Sequence, residues 1–556
     1  MLGLMQQQPL MISSIIRHAA RHHGATEVVA KLTDGSIHRY TYADAERRAR
    51  RLVRVLERLG VRPGDRVATL GWNDHRHFEV YYAVSGMGAI VHTVNPRLAP
   101  DDIVYIIDHA GDAVLFADPG FAALVGAIAP RLSSLRAVVV MSDAAGMAAP
   151  ALPAGVQLHC YETLMDAADA DYVWPEFDEN TASALCYTSG TTGRPKGVLY
   201  SHRSTLLHAY ACNGADVIGL SAVDRIMPVV PMFHANAWSI PYVAPMAGSA
   251  LVLPGRHLDG ASLHALLDDE RVTVSAGVPT VWLGLLQHLR ATGGRFATLR
   301  RLLCGGSACP SVLIETFARD YGVRIAHAWG MTETSPVATF NTAKPDTAEL
   351  SDEAGQRQRA KQGRALFGVD VKIIDDAGGE VAWDGERFGN VMVRGAWVCR
   401  SYYLTGEDST DSEGWFATGD VATIDRHGDL EITDRSKDVI KSGGEWISSI
   451  ALENIAVEHP DVAEAAIIAV NHPKWLERPL LVVVAKPGHR IEAADVLRLY
   501  EGRVAKWWIP DEVAAMDEIP HTGTGKINKL ALRTRFRDFR LAGQEEAAIT
   551  SGTDVA

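Results

Sequence analysis

The stretch that most constrains this chain runs Tyr187-Thr188-Ser189-Gly190-Thr191-Thr192-Gly193-Arg194-Pro195-Lys196-Gly197. The hydroxyls of Ser189, Thr191 and Thr192 lie beside Gly190 and Gly193, and the cation of Lys196 follows. Glycine lets the backbone enter positive φ, so successive N–H groups and hydroxyls face one concavity that suits a polyphosphate. The apolar run Ala182 to Tyr187 reads as a short buried strand before it, and Ser201 is placed to cap a helix opening near His202. A phosphate-holding loop between regular elements is the expectation, with an ordinary glycine- and threonine-rich surface turn as the alternative. The spacing excludes a P-loop NTPase. That motif needs Gly-x-x-x-x-Gly-Lys-Ser/Thr, whereas Lys196 stands three residues beyond Gly193 and precedes Gly197.

A chain of 556 residues can bury several cores, and its length alone gives a prior of about three or four domains. Its net charge of -13, with no long basic run, argues against nucleic acid as a partner. The cysteines at 160, 186, 212, 304, 309 and 399 form no Cys-x-x-Cys pair, so buried reduced thiols and a reducing compartment are expected. No basic residue precedes Arg17, and no apolar run reaches the roughly 18 residues of a membrane span. A cytoplasmic protein without a membrane span is the reading.

Along the chain, Thr41 with Asp44 signals a capped helix whose stripe is Ala49, Leu52, Val53, Leu56 and Leu59, ended by Gly60. Strand Arg66 to Leu70, helix His75 to Met87, and strands Ala89 to Val94, Ala113 to Ala117 and Ala137 to Met141 follow. This alternation predicts an α/β fold, sheets with helices on their faces. Residues 144 to 180, rich in Ala, Pro and Asp, read as surface connection. After Phe367 short strands and turns predict a β-rich subdomain. From Asp434 a small α+β pattern begins: helix Ser449 to Glu458, strands Ala463 to Val470 and Leu480 to Lys486, and helix Ala493 to Lys506. The expected division is 1–433, 434–543 and a polar tail, 544–556.

Residue for residue, the Tyr187 to Gly197 stretch resembles the signature of the adenylate-forming superfamily, which holds acyl-CoA synthetases, luciferases and peptide-synthetase adenylation domains. Further runs keep that family's order. Gly305-Gly306-Ser307-Ala308 and Trp329-Gly330-Met331-Thr332-Glu333, alone a turn and a core aromatic, resemble its two adenine-binding segments. The resemblance implies that Thr188, Ser189, Gly190, Thr191, Thr192, Gly193 and Lys196 bind the phosphates, that Gly306, Ser307, Ala308, Trp329, Gly330 and Met331 line the adenine, that Thr332 contacts the α-phosphate, and that Glu333 holds Mg²⁺ with Thr188. Thr418-Gly419-Asp420 followed by Asp434-Arg435-Ser436-Lys437 gives Asp420 to the ribose, Arg435 to ribose or phosphate, and Lys437 to the hinge of a mobile C-terminal lid. Many relatives have Asp at that hinge. Lys526, in Thr522-Gly523-Thr524-Gly525-Lys526, matches the catalytic lysine that bridges the acyl oxygen and the α-phosphate.

Lys441, Gly443, Gly444 and Trp446, in a run like that of medium- and long-chain fatty acyl-CoA synthetases, fall to the CoA side. His234 and Trp238 match the His-x-Asn-x-Trp run that borders the acyl tunnel, with the tryptophan as its gate. The implied activity is AMP-forming acid–CoA ligation with ATP, Mg²⁺ and CoA. The acid is a medium- or long-chain fatty acid or, in the same subfamily, the short thioether acid 3-methylthiopropionate. A luciferase-type oxygenase or carrier-protein adenylation domain is the rival within the class. A nucleotide-sensing scaffold, the rival outside it, is expected to lose Lys526 or Glu333. Relatives are often homodimers, which extends to this chain as an expectation.

Overall fold

The computed structural model describes every residue except 2, 189–193, 351, 443–444, 523–525, 538 and 542–556, and the backbone alone at 352, 445 and 446. The expected sites at Ser189 to Gly193, Gly443 and Gly444, the side chain of Trp446, and the tail after residue 543 lie outside the described residues.

Local signals set the elements. Thr41 accepts from the Asp44 N–H while Asp44 accepts from the Thr41 N–H, and this capping box opens helix Tyr42–Arg58, whose buried face includes Ala49, Leu52, Val53 and Leu56. Ser201 and Ser204 make the same reciprocal cap ahead of helix His202–Cys212. Packing these helices on sheets buries the apolar stripes that would otherwise face water.

The chain divides into two units. One comprises Met1–Cys309, Leu313–Asp370 and Val393–Phe416. It carries a seven-stranded sheet in the order Gln157–Cys160, Ala137–Val140, Val114–Ala117, Arg66–Leu70, Ile90–Thr93, Ala182–Tyr187, Gly197–Ser201. All neighbours are parallel except the last pair, where Tyr187 faces Gly197 antiparallel. A nine-stranded sheet in the same unit runs from Arg364–Ala365 at one edge to Ile37–Thr41 at the other, with Arg301–Cys304 and Arg324–Gly330 adjacent and parallel within it.

The other unit comprises Pro310–Val312, Val371–Met392 and Ala417–Ala556. Phe416–Ile424 pairs antiparallel with Leu430–Arg435, and Val462–His472 pairs with Leu476–Ala485 in a second sheet. Helix Ser449–Ala456 covers one core, with Ile440, Leu452, Ile467 and Tyr500 inside it.

Two expectations need correction. Residues 144–180 are not wholly a surface connection: Gln157–Cys160 is an edge strand and Tyr161–Asp166 a helix whose Tyr161 is fully buried. An edge strand is half solvated, so its polar residues hide the alternation. The helix expected over 493–506 stops at Arg498. Gly502 at φ 72° turns the chain, and Ile509 before Pro510 disfavours the helical region.

Candidate active site

Tyr187 and Gly197, the two ends of the glycine- and threonine-rich stretch, face each other across the antiparallel pair of Ala182–Tyr187 and Gly197–Ser201, and the described residues just inside them are also paired. There the Thr188 N–H donates to Lys196 O at 2.9 Å and the Lys196 N–H donates to Thr188 Oγ1 at 3.2 Å. The strand Gly197–Ser201 is absent from the sequence reading.

Strand Arg324–Gly330 ends where Trp329 and Gly330 stand, and the turn Thr332–Thr334 follows. Gly330 is obligatory there, because a Cβ would lie 1.8 Å from Pro336 O. Thr332 and Glu333 are buried, Glu333 to 6% exposure. A buried carboxylate must be bonded or paired. Tyr402 supplies the bond, its OH donating to Glu333 Oε1 at 2.7 Å, while the Cys399 N–H donates to the Glu333 carbonyl at 2.7 Å. The Tyr402 ring also lies 4.7 Å from Lys196 Nζ, a cation–π contact. Tyr200 OH donates to Thr332 O at 2.7 Å. The structure thus brings Thr188, Lys196, Thr332 and Glu333 into one neighbourhood, with Tyr402 and Tyr200 as members that sequence reasoning missed. Tyr402 is 69 residues from Glu333, and no local period marks it.

The run from His234 to Trp238 has an unusual backbone. His234 precedes a turn in which Ala235, Asn236, Ala237, Trp238 and Ser239 all have positive φ, between 43° and 62°. For L-residues that conformation costs about 1–2 kcal/mol each, so neighbours must hold it. Asn236 Oδ1 accepts from Tyr81 OH at 3.2 Å, and Ser239 Oγ lies 2.7 Å from His208 Nδ1. The Val337 N–H donates to His208 Nε2 at 3.0 Å, so the proton sits on Nδ1 and faces Ser239. Burial pushes His208 down to about 3, which keeps the ring neutral. Trp238 packs on the glycine floor: a Cβ at Gly305 would come 3.1 Å from its ring. Gly306, at φ 84°, follows in that floor, ahead of Ser307 and Ala308.

In the second unit, Asp420 and Arg435 are cross-strand partners, with Arg435 Nε 3.0 Å from Asp420 Oδ1. Lys437 lies just beyond that strand. Partial burial lowers its ammonium from the usual lysine range, helped by Arg435 and Arg533 and opposed by Asp438 and Asp420. Lys441 is on strand Ile440–Ser442, its N–H donating to Glu477 Oε2 at 2.8 Å. Lys526 is half-buried; its N–H donates to Thr522 Oγ1 at 3.2 Å, and Thr522 N–H donates back to Lys526 O at 2.7 Å. It directly precedes the segment leading to helix Lys529–Arg535.

Comparison with known proteins bears on the family. The chain is 51% identical over 97% of its length, and 99% of the relative's, to a 3-methylmercaptopropionyl-CoA ligase of Ruegeria lacuscaerulensis. It is 48% identical to a medium-chain-fatty-acid–CoA ligase of Ectopseudomonas oleovorans, covering 97% of this chain and 98% of that one. A crystal structure of an anthranilate CoA ligase in complex with anthranoyl-AMP shares the fold, with a TM-score of 0.83 at 24% identity over 94% of this chain and 97% of that chain. The AMP-binding enzyme model matches residues 15–403 and the AMP-binding enzyme C-terminal domain model matches 451–526. On these grounds the chain belongs to the AMP-binding enzyme family.

Proposed function

We propose that this AMP-forming acid–CoA ligase acts on a straight-chain acid of medium or long chain whose aliphatic tail is uncharged. The observation that carries the reading is the wall leading to Trp238: Val229, Val230, Met232, Phe233, Ala235 and Ala237 are all buried, and the Trp238 ring lies against Gly305. An apolar wall rewards burial of methylenes at about 0.8 kcal/mol each and penalises a charged tail. A second reading, a short thioether acid, is favoured by the 51% identical methylmercaptopropionyl-CoA ligase.

In the first half-reaction a carboxylate oxygen attacks the α-phosphorus of ATP and the bond to pyrophosphate breaks. Both partners are anions, so cations must offset their repulsion. Lys196 serves the phosphates and Thr332 the α-phosphate. Glu333 and Thr188 are hard oxygen donors of the kind magnesium takes, and the buried Glu333 carboxylate, held at one oxygen by Tyr402, fits that use. Magnesium bound there supplies charge neutralisation to the phosphate oxygens. Asp420 accepts from the ribose hydroxyls, beside Arg435.

Lys526 brings the remaining charge to the acyl oxygen and α-phosphate. At about 4 Å an ammonium and an oxyanion attract by about 4 kcal/mol at an effective dielectric near 20. Residues 434–543 act as a lid on a 1–433 body and turn about Lys437, withdrawing Lys526. Lys441, Gly443, Gly444 and Trp446 then serve CoA, whose sulfur attacks the acyl carbon as its proton departs and AMP leaves. Six buried free thiols support a reducing, cytoplasmic setting, and a homodimer belongs to the same reading.

The test is a panel of acids from propionate to palmitate, with 3-methylmercaptopropionate included, scored by kcat/KM for CoA thioester. The reading expects the maximum among medium or long unbranched acids. A maximum at 3-methylmercaptopropionate establishes the second reading instead.

A further inference from the structure

One short segment touches both halves of the phosphate neighbourhood. Cys399 N–H and Tyr402 OH each donate to Glu333, the first to its carbonyl and the second to carboxylate Oε1. The adjoining Tyr403 N–H donates to Gly197 O at 2.8 Å, at the end of the phosphate stretch. The face of the Tyr402 ring lies 4.7 Å from Lys196 Nζ. The phenol therefore serves a carboxylate through its hydroxyl and an ammonium through its ring.

We propose that Tyr402 is a positioning residue that orients the Glu333 carboxylate for a divalent cation and steadies Lys196 over the phosphates. The inference rests on the reading of Glu333 as a magnesium ligand. A ligating carboxylate is free to rotate about its last torsion, and a donor fixed to one oxygen leaves the other aimed at the metal. Partners of this kind commonly set metal affinity by about 10- to 100-fold. Tyr402 reaches Glu333 from a separate segment, so the carboxylate is set by tertiary structure and not by its own turn.

The test is calorimetric titration of ATP into the protein without acid or CoA, once with excess Mg²⁺ and once with excess EDTA. Tyr402→Phe keeps the ring near Lys196 and removes only the hydroxyl. It is expected to weaken binding of MgATP about tenfold and to leave binding of metal-free ATP unchanged, in a chain that still unfolds cooperatively. Tyr402→Leu, which also removes the ring, is expected to weaken both. Glu333→Gln separates this inference from its foundation. If Glu333→Gln lowers MgATP affinity and Tyr402→Phe does not, the positioning role is overturned. If Glu333→Gln binds MgATP as the wild type does, the magnesium assignment fails and the role of Tyr402 fails with it.

Discussion

His208 shows how one side chain supports a strained turn. Its ring accepts from Val337 N–H and stands 2.7 Å from Ser239 Oγ, at the end of the left-handed run that carries Trp238. Folded, it titrates at about 3 because burial penalises the charged form. Unfolded, a histidine titrates near 6.5. Between those values the unfolded chain holds the extra proton, so stability is full above pH ~6.5 and falls as pH drops toward ~3. His208→Gln keeps a donor and an acceptor and cannot titrate. Its loss of unfolding free energy between pH 7 and 5, measured by urea denaturation, should be smaller than the wild type's by roughly 2 kcal/mol. An identical pH dependence would show that His208 is not buried as a neutral ring. At this scale legibility followed locality. Thr332 and Glu333 stood in one contiguous run, which the resemblance to the family could pick out. Tyr402 and His208 act through partners 69 and 129 residues away, and no spacing rule reaches that far.

Elements were legible where a cap or an apolar stripe marked them. Thr41 and Ser201 placed two helix starts, and the apolar strands Arg66–Leu70 and Ala182–Tyr187 were read to the residue. The edge strand Gln157–Cys160 was not, since its polar Gln157 and His159 break the apolar pattern, and the strand Gly197–Ser201 was not, since it is short and opens on the glycine that ends the phosphate stretch. The C-terminal helix shows what the sequence reading left out. Lys529 on helix Lys529–Arg535 lies 2.7 Å from Glu453 Oε1, bonds to Ser449 Oγ and is attracted by Asp434. Arg533, one turn on, pairs with Asp438 beside the expected hinge. Burial works against the Lys529 charge, yet the facing Glu453 and Asp434 raise its pKa above the lysine value. Lys529→Met leaves those carboxylates buried without their cation and should cost about 3–5 kcal/mol in urea unfolding. Adding Glu453→Leu should recover much of that loss. A single variant as stable as the wild type would mean that water, not Lys529, satisfies the carboxylates.

For the whole molecule, the sequence conveyed the αβ layers and the ordered motifs because each is local, and the strand order only emerges from long-range pairing. The family assignment explains why the motifs recur in sequence order, while the division of labour between a 1–433 body and a 434–543 lid is a claim about mechanism. That claim has one direct measurement. Lys526→Ala should be assayed in both half-reactions: acid-dependent pyrophosphate release, and CoA thioester formation from supplied acyl-AMP. Loss of about 4 kcal/mol of transition-state attraction predicts a fall of nearly a thousandfold in the first, with the second close to wild type. Equal loss of both steps, or wild-type pyrophosphate release, would contradict the account.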